Sequence, residues 1–286
     1  MALNITSLHP SFVGEVRGVD LRRLEDRASL DAIRAGMDRY GVLVFRAQPF
    51  TDLEQLDFAQ RFDGSLHAKT GSAALGANRF GNEALADISN VDEHGAVLAA
   101  DDRRRHYGLA NRLWHTDASF ENPPGRFSLL SARVLPSAGA DTEFADMRAA
   151  WDALPEHLQR QLDGLTVHHS IAHSRQILGF DFSAAELDKL RGAVHPLVRR
   201  NPATGRRSLY LASHASRVVE QSLAEGRLLL RELMEHATQP QFVYRHRWQE
   251  QDLVIWDNRA TMHRARPFED LKQRRELRRV TTLDII

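Results

Sequence analysis

Cysteine is absent from the 286 residues, which removes disulfides, thiolate zinc sites, iron–sulfur clusters and cysteine nucleophiles from consideration. Any metal must then be held by histidine and carboxylate side chains. A charge surplus is missing too: 38 basic residues stand against 38 acidic ones, unlike the basic excess of a general nucleic-acid binder. No apolar run approaches the about 18 residues that would suggest a membrane span. The opening stretch MALNITSLHPSFVGEVRGVDLRR has neither the basic start nor the apolar core of a secretory leader. The expectation is a cytoplasmic chain without membrane or nucleic-acid partners, free to carry a local charged site.

What is present is 42% apolar content, enough for a large core, and 14 histidines. GVLVFR (41–46) is a compact β-branched run that predicts a buried strand. TDLEQLDFAQRF (51–62) has helical spacing, with Thr51 and Glu54 at capping-box distance. Residues 64–84, with four glycines, predict a long loop. LADISNV (85–91) and RFSLLSARVLP (126–136) predict strands. The period then changes. Trp151, Leu154, Leu158 and Leu165 share a helical face across 147–165, and Val219, Leu223, Leu230, Leu233 and Ala237 repeat it across 216–237. Strands return at QFVYRHRW (241–248), DLVIWDNR (252–259) and RELRRVTTLDI (275–285). The reading is a single domain over 1–286: a β core completed by both ends of the chain, with a largely helical insert at roughly 143–238.

Chemistry enters at NRLWHTDASF, where His115 and Asp117 stand one residue apart, at i and i+2. On an extended segment both side chains point the same way. The plain alternative is a polar pair at the end of a buried strand. VIWDNRATMHRARPF adds His263 just past a strand. Two histidines and one carboxylate make a facial triad, which covers one face of an octahedral Fe(II) and leaves the other open. QRRELRRVTT puts Arg275 and Arg279 on one strand face with Leu277 and Thr281, and Arg274 and Arg278 on the other. Inward guanidiniums would each need an anion; a basic edge strand in water is the alternative. Thr142 offers a hydroxyl that could donate to the same anion. His169 and His173, at i and i+4, have a zinc-like spacing but no accompanying Glu. His214 could face the pocket.

LWHTDASF, GADTEF, DMRAAWDALP, QFVYRHRW, WDNRATMHRA and RRELRRVTTLD, in this order, resemble the Fe(II)/2-oxoglutarate-dependent taurine/2,4-dichlorophenoxyacetate dioxygenase family, most closely its 2,4-dichlorophenoxyacetate branch. The likeness covers nearly the whole chain and implies a double-stranded β-helix, or jelly roll, with flanking helices. It implies Fe(II) held by His115, Asp117 and His263, and 2-oxoglutarate held by Thr142 and Arg275 beside Trp256. Arg279 falls where the family binds the acidic group of its substrate, and Asn111 among its pocket-lining residues. Lys69 or His67 is assigned to the substrate by position alone. The stretch from His263 to the arginines is one residue longer than in the family, so the choice of Arg275 over Arg274 depends on strand register. The implied reaction consumes O2 and 2-oxoglutarate, releases succinate and CO2, and hydroxylates a small acidic substrate. An aryloxyacetate would be cleaved to a phenol and glyoxylate. An alkyl sulfonate is the alternative substrate, and a non-catalytic metal- or anion-binding β-barrel the alternative class. The chain is expected to act as a homo-oligomer.

Overall fold

A computed structural model describes residues 3–68 and 79–285. The first part runs β1 (Asn4–Ser7), β2 (Gly14–Arg17), α1 (Arg27–Tyr40), β3 (Val42–Phe45), α2 (Asp52–Asp63), β4 (Ala86–Ser89), α3 (Arg103–Leu109) and β5 (Gly125–Val134). There follow β6 (Thr142–Asp146), α4 (Met147–Asp152), α5 (Glu156–Leu162), β7 (Thr166–His169), α6 (Ile171–Gln176), α7 (Ala184–Lys189), β8 (Ala193–Pro196), β9 (Val198–Arg200), β10 (Arg207–Leu209), β11 (Ala215–Val218) and α8 (Leu223–Ala237). The chain ends with β12 (Val243–His246), β13 (Leu253–Asp257), β14 (Thr261–Ala265) and β15 (Glu276–Leu283).

Seven strands form the larger sheet in the order β1-β2-β3-β13-β5-β15-β4, and β12-β6-β14 form a smaller one. Both ends of the chain therefore share one sheet, as the strand–insert–strand pattern predicts. The central strands β3, β13, β5 and β15 of the larger sheet are buried on both faces, and their side chains divide with period two. Leu43, Phe45, Leu129, Leu253, Ile255 and Val280 pack under α1 and α2. Their neighbours Val42, Val44, Leu130, Val254, Trp256 and Leu277 pack on the opposite side with Phe144 of the smaller sheet. Helix α2 begins with the expected capping box, Thr51 Oγ1 accepting from the Glu54 amide at 3.2 Å and the Glu54 carboxylate from the Thr51 amide at 2.8 Å.

The middle region is less helical than its periodicity predicts. Beside its helices it holds β6, which belongs to the smaller sheet, and a three-stranded β11-β7-β8 sheet and a β9-β10 pair. The single helix expected over 147–165 is two, because Pro155 has no amide to donate and disfavours helical backbone before it. Over 216–237 the helix proper starts at Leu223, capped by Ser222; the preceding residues 215–218 pair with β7, and Val219 is exposed. His169 lies on β7 and His173 on α6, so the two do not share a helix face. The loop at 64–84 is described only at its ends, and Lys69 lies outside the described residues.

Gly125, at the start of β5, packs its backbone against the Asp117 segment. A β-carbon there would lie 2.8 Å from Thr281 Cγ2 and 3.0 Å from the Asp117 carbonyl oxygen. Gly125→Ala is expected to destabilise the fold by about 1–3 kcal/mol through overpacking, read as a lower midpoint in thermal unfolding. Because the backbone it displaces carries Asp117, its loss of metal affinity should exceed that of Gly18→Ala, where the added carbon meets nothing within 4 Å.

Candidate active site

One backbone pairing brings the two histidines together. The His115 amide donates to the His263 carbonyl at 2.9 Å, and the His263 amide to the His115 carbonyl at 2.8 Å, forming an isolated antiparallel bridge beside β14. Only a short stretch at His115 is extended; Asp117 already begins a turn, and Ala118 follows in the left-handed region at φ 53°. The side chains nevertheless converge, by the turn rather than by strand alternation. His115 Nε2 is 3.9 Å from Asp117 Oδ1, and His263 Nε2 is 3.7 Å from Asp117 Oδ2. One donor atom from each of the three lies within 4.8 Å of the others, and all three residues are buried.

The protonation states suit a cation. His115 Nδ1 is 2.8 Å from the Leu113 carbonyl, an acceptor only, so this nitrogen carries the proton and Nε2 presents its lone pair. Burial pushes the His115 imidazole down to about 4, and burial with the nearby His115 holds His263 well below its ordinary value. Burial works to raise the Asp117 carboxyl, but the Arg279 guanidinium and the two histidines outweigh it and leave it at about 2. The centre therefore offers two neutral imidazoles and one carboxylate. Lone pairs facing one another in a desolvated place are costly unless a positive group joins them.

Asp117 is fixed from three directions. Ser128 of β5 donates its hydroxyl to Oδ2 at 2.7 Å, and Arg279 of β15 donates to Oδ1. The Asp117 amide donates to Asn258 Oδ1, which also accepts from Trp256 Nε1 at 3.0 Å. Asn258 then donates to Ser128 Oγ at 2.9 Å. Ser128 and Asn258 escape sequence reading because each is an ordinary strand or turn residue. The one available signal is that Asn258 sits inside WDNRATMHRA, five residues before His263.

A cavity of about 480 Å³ opens over the cluster. His115, Asp117, His263, Thr142, Arg275, Trp256, Asn111 and Arg279 all line it, whereas His67 is not among its lining; the His67 amide donates to the Thr281 carbonyl of β15. His214 also lines the cavity, its ring centroid 5.9 Å from that of His115. The arginines divide as alternation requires. Arg275 and Arg279 face the cavity, while Arg274 and Arg278 pair with Glu276 outside it. Arg275 is buried, its side chain reaching the Ala140 carbonyl at 3.5 Å and no carboxylate among the described residues, and burial lowers its pKa to about 10. Thr142 Oγ1 accepts from Trp248 Nε1 at 3.0 Å, and its own proton has no acceptor among the described residues. Arg175, which sequence reading passed over, lines the same cavity from α6.

Ser128→Ala removes the hydroxyl that holds Asp117 Oδ2. Mn(II) binding, followed by paramagnetic resonance titration, is expected to weaken by roughly 10–100-fold, the usual effect of losing a group that orients a metal ligand. Ser131→Ala, on the same strand with its hydroxyl off the cluster, should bind Mn(II) as the unaltered protein does.

Residues 4–281 match the model of the "Taurine catabolism dioxygenase TauD, TfdA family". The chain is 47% identical over 285 residues to an alpha-ketoglutarate-dependent 2,4-dichlorophenoxyacetate dioxygenase of Cupriavidus pinatubonensis, covering 99% of each chain. It is 46% identical over 284 residues to the enzyme of the same name from a Burkholderia strain, covering 99% of this chain and 95% of that one. Among solved structures it is similar to AAD-2 in complex with Mn(II) and N-oxalylglycine, with a TM-score of 0.90, 42% identity, and coverage of 100% of this chain and 98% of the other. With a jelly roll of two facing sheets, a buried His-Asp-His cluster between them and a match along almost its whole length, the chain belongs to the TauD/TfdA dioxygenase family.

Proposed function

We propose that this protein is an Fe(II)- and 2-oxoglutarate-dependent dioxygenase that oxidises a small organic acid of the aryloxyacetate type. The observation that carries the reading is the conjunction, in one cavity, of the buried His115, Asp117 and His263 donors with Arg275, a buried cation that has no carboxylate partner among the described residues. The donor set fits Fe(II): two neutral imidazoles and a carboxylate on one side, with the cavity on the other. Fe(II) held by these three residues would, with 2-oxoglutarate and O2, supply the oxidising power, one oxygen atom ending in succinate beside CO2 and the other in the substrate. For an aryloxyacetate, hydroxylation of the carbon beside the ether oxygen gives a hemiacetal, which parts into a phenol and glyoxylate. The substrate class is supported by the likeness to the 2,4-dichlorophenoxyacetate dioxygenases along the full chain.

The chain's own residues supply grip and aim. Arg275 would hold the distal carboxylate of 2-oxoglutarate, with the Thr142 hydroxyl as a second donor and the Trp256 ring beside His263 as a wall. Arg279 steadies Asp117 with one amino group and turns the rest of its fork to the acidic group of the substrate, near the metal. Asn111 lines the substrate side. The whole of residues 1–286 serves as one such domain.

His263→Ala should abolish 2-oxoglutarate turnover and Fe(II) affinity without unfolding the protein; near-normal Fe(II) affinity would remove His263 from the site. Arg275→Ala should raise the apparent KM for 2-oxoglutarate by roughly 10–150-fold, the loss of a charge-assisted contact of about 1.5–3 kcal/mol. Arg274→Ala should leave that KM in place. The reverse outcome would put the strand out of register by one residue. Arg279→Ala should weaken Fe(II) binding, because it frees Asp117 Oδ1, and at saturating Fe(II) it should uncouple the reaction, succinate forming slowly without matching phenol.

A further inference from the structure

Arg175 is a buried cation that the assignments above leave without a task. It is only 5% exposed and lines the cavity from α6. Nη1 donates to Ser174 Oγ at 2.8 Å and meets His214 Nε2 at 3.2 Å; Nη2 donates to Asn111 Oδ1 at 3.3 Å. The Tyr107 ring lies 4.6 Å from the guanidinium carbon. Its Nε has no hydrogen-bond partner among the described residues. None of these contacts carries negative charge, since burial and the adjacent Arg175 keep His214 neutral. No described carboxylate lies within 4.0 Å of it.

This sets Arg175 apart from the other arginines around the cavity. Arg79 pairs with Asp87 and Glu276, Arg105 and Arg112 with Asp270, Arg266 with Glu143, and Arg279 with Asp117. Only Arg175 and Arg275, among the described lining arginines, lack a carboxylate. A desolvated guanidinium whose contacts are all neutral groups is costly to keep charged. Such a cation persists where it meets an anion that arrives from outside. Two acidic molecules enter this cavity in the oxygenase reading, and the distal carboxylate of 2-oxoglutarate accounts for Arg275.

We infer that Arg175 binds the anionic group of the primary substrate together with Arg279, with Asn111, His214 and Tyr107 as positioning residues. This rests on the oxygenase reading and deepens it. Burial and Arg279 oppose Arg175's charge, the Asp117 carboxylate offsets only part of this, and an anion shared by the two arginines would remove the rest. The site lies on the metal's flank, since His214 links Arg175 to the ring of His115. Tyr107, Phe120 and Ile171 give the cavity an apolar wall beside it. The ligand these features select is a mono-anion attached to a flat apolar group, preferred over its neutral counterpart.

The test is equilibrium binding, by calorimetry, to protein loaded with Mn(II) and N-oxalylglycine, so that no turnover intervenes. The probes are phenoxyacetate, 2-phenoxypropionate, hexanesulfonate and, as the neutral counterpart, 2-phenoxyethanol. In R175Q the acid that the unaltered protein binds best should lose about tenfold or more in affinity. N-oxalylglycine affinity should not change, and 2-phenoxyethanol binding should not weaken. R175K should recover part of the loss, keeping the charge without the planar fork. R175Q should also unfold no lower than the unaltered protein, because it removes an uncompensated charge. Unchanged acid affinity in R175Q overturns the inference. So does a joint loss of acid, N-oxalylglycine and thermal stability, which marks a strut, and so does an unaltered protein that prefers none of the acids to 2-phenoxyethanol. Failure to bind N-oxalylglycine at all in the presence of Mn(II) would instead bring down the oxygenase reading, and the inference with it.

Discussion

The two-hydrogen-bond bridge between His115 and His263 is the contact on which the site depends. It joins residues 148 positions apart in sequence and fixes their Cα atoms as directly opposed partners, so both rings leave the backbone from neighbouring points. No side-chain interaction could set that spacing as tightly. Its cost is that everything between the partners must fold so as to bring them back together. The smaller sheet does this: β6 pairs with β14 from Thr142 to Asp146, placing Phe144 opposite His263 and Thr142 opposite Ala265. The same strand that aligns His263 therefore delivers the hydroxyl assigned to the co-substrate.

Asp117 is held by a different route. Its partners Ser128, Asn258 and Arg279 come from β5, the turn after β13, and β15, adjacent members of the larger sheet. The histidines thus hang from one sheet and the carboxylate is braced by the other. The centre exists only when the sheets face each other at the right separation, and that separation is set by Phe144, Trp256, Leu130 and Leu277 packed between them. A buried apolar layer and a buried charged cluster share one slab, with the apolar part supplying the cohesion that the charges oppose.

Much of this was legible in the sequence, for identifiable reasons. GVLVFR, DLVIWDNR and RELRRVTTLDI are short β-branched runs whose alternation survives in the structure, because a sheet covered on both faces fixes the side of every residue. That is also why Arg275 and Arg279 could be separated from Arg274 and Arg278. The middle of the chain was harder. Trp151, Leu154 and Leu158 are apolar at helical intervals, but the break at Pro155 divides them, and β7 to β11 are strands of three or four residues, too short to declare a period. The side chains of His115 and Asp117 do converge, but alternation is not the cause, since a turn through Ala118 carries the carboxylate round.

The division of labour within the cavity explains why its residues differ so much in legibility. Its floor is made by strands: His263, Thr142, Trp256, Arg275 and Arg279 sit on or beside β14, β6, β13 and β15, and their spacing is dictated by sheet geometry. Its wall is made by short helices, with Tyr107 on α3 and Arg175 on α6, whose placement depends on packing of the inserted region and leaves no periodic mark. A floor of fixed geometry suits the metal and a co-substrate that never changes. A wall built from short, independently capped segments can be altered without disturbing the sheets. The residues that choose the substrate are therefore to be sought on the wall, where Arg175 stands.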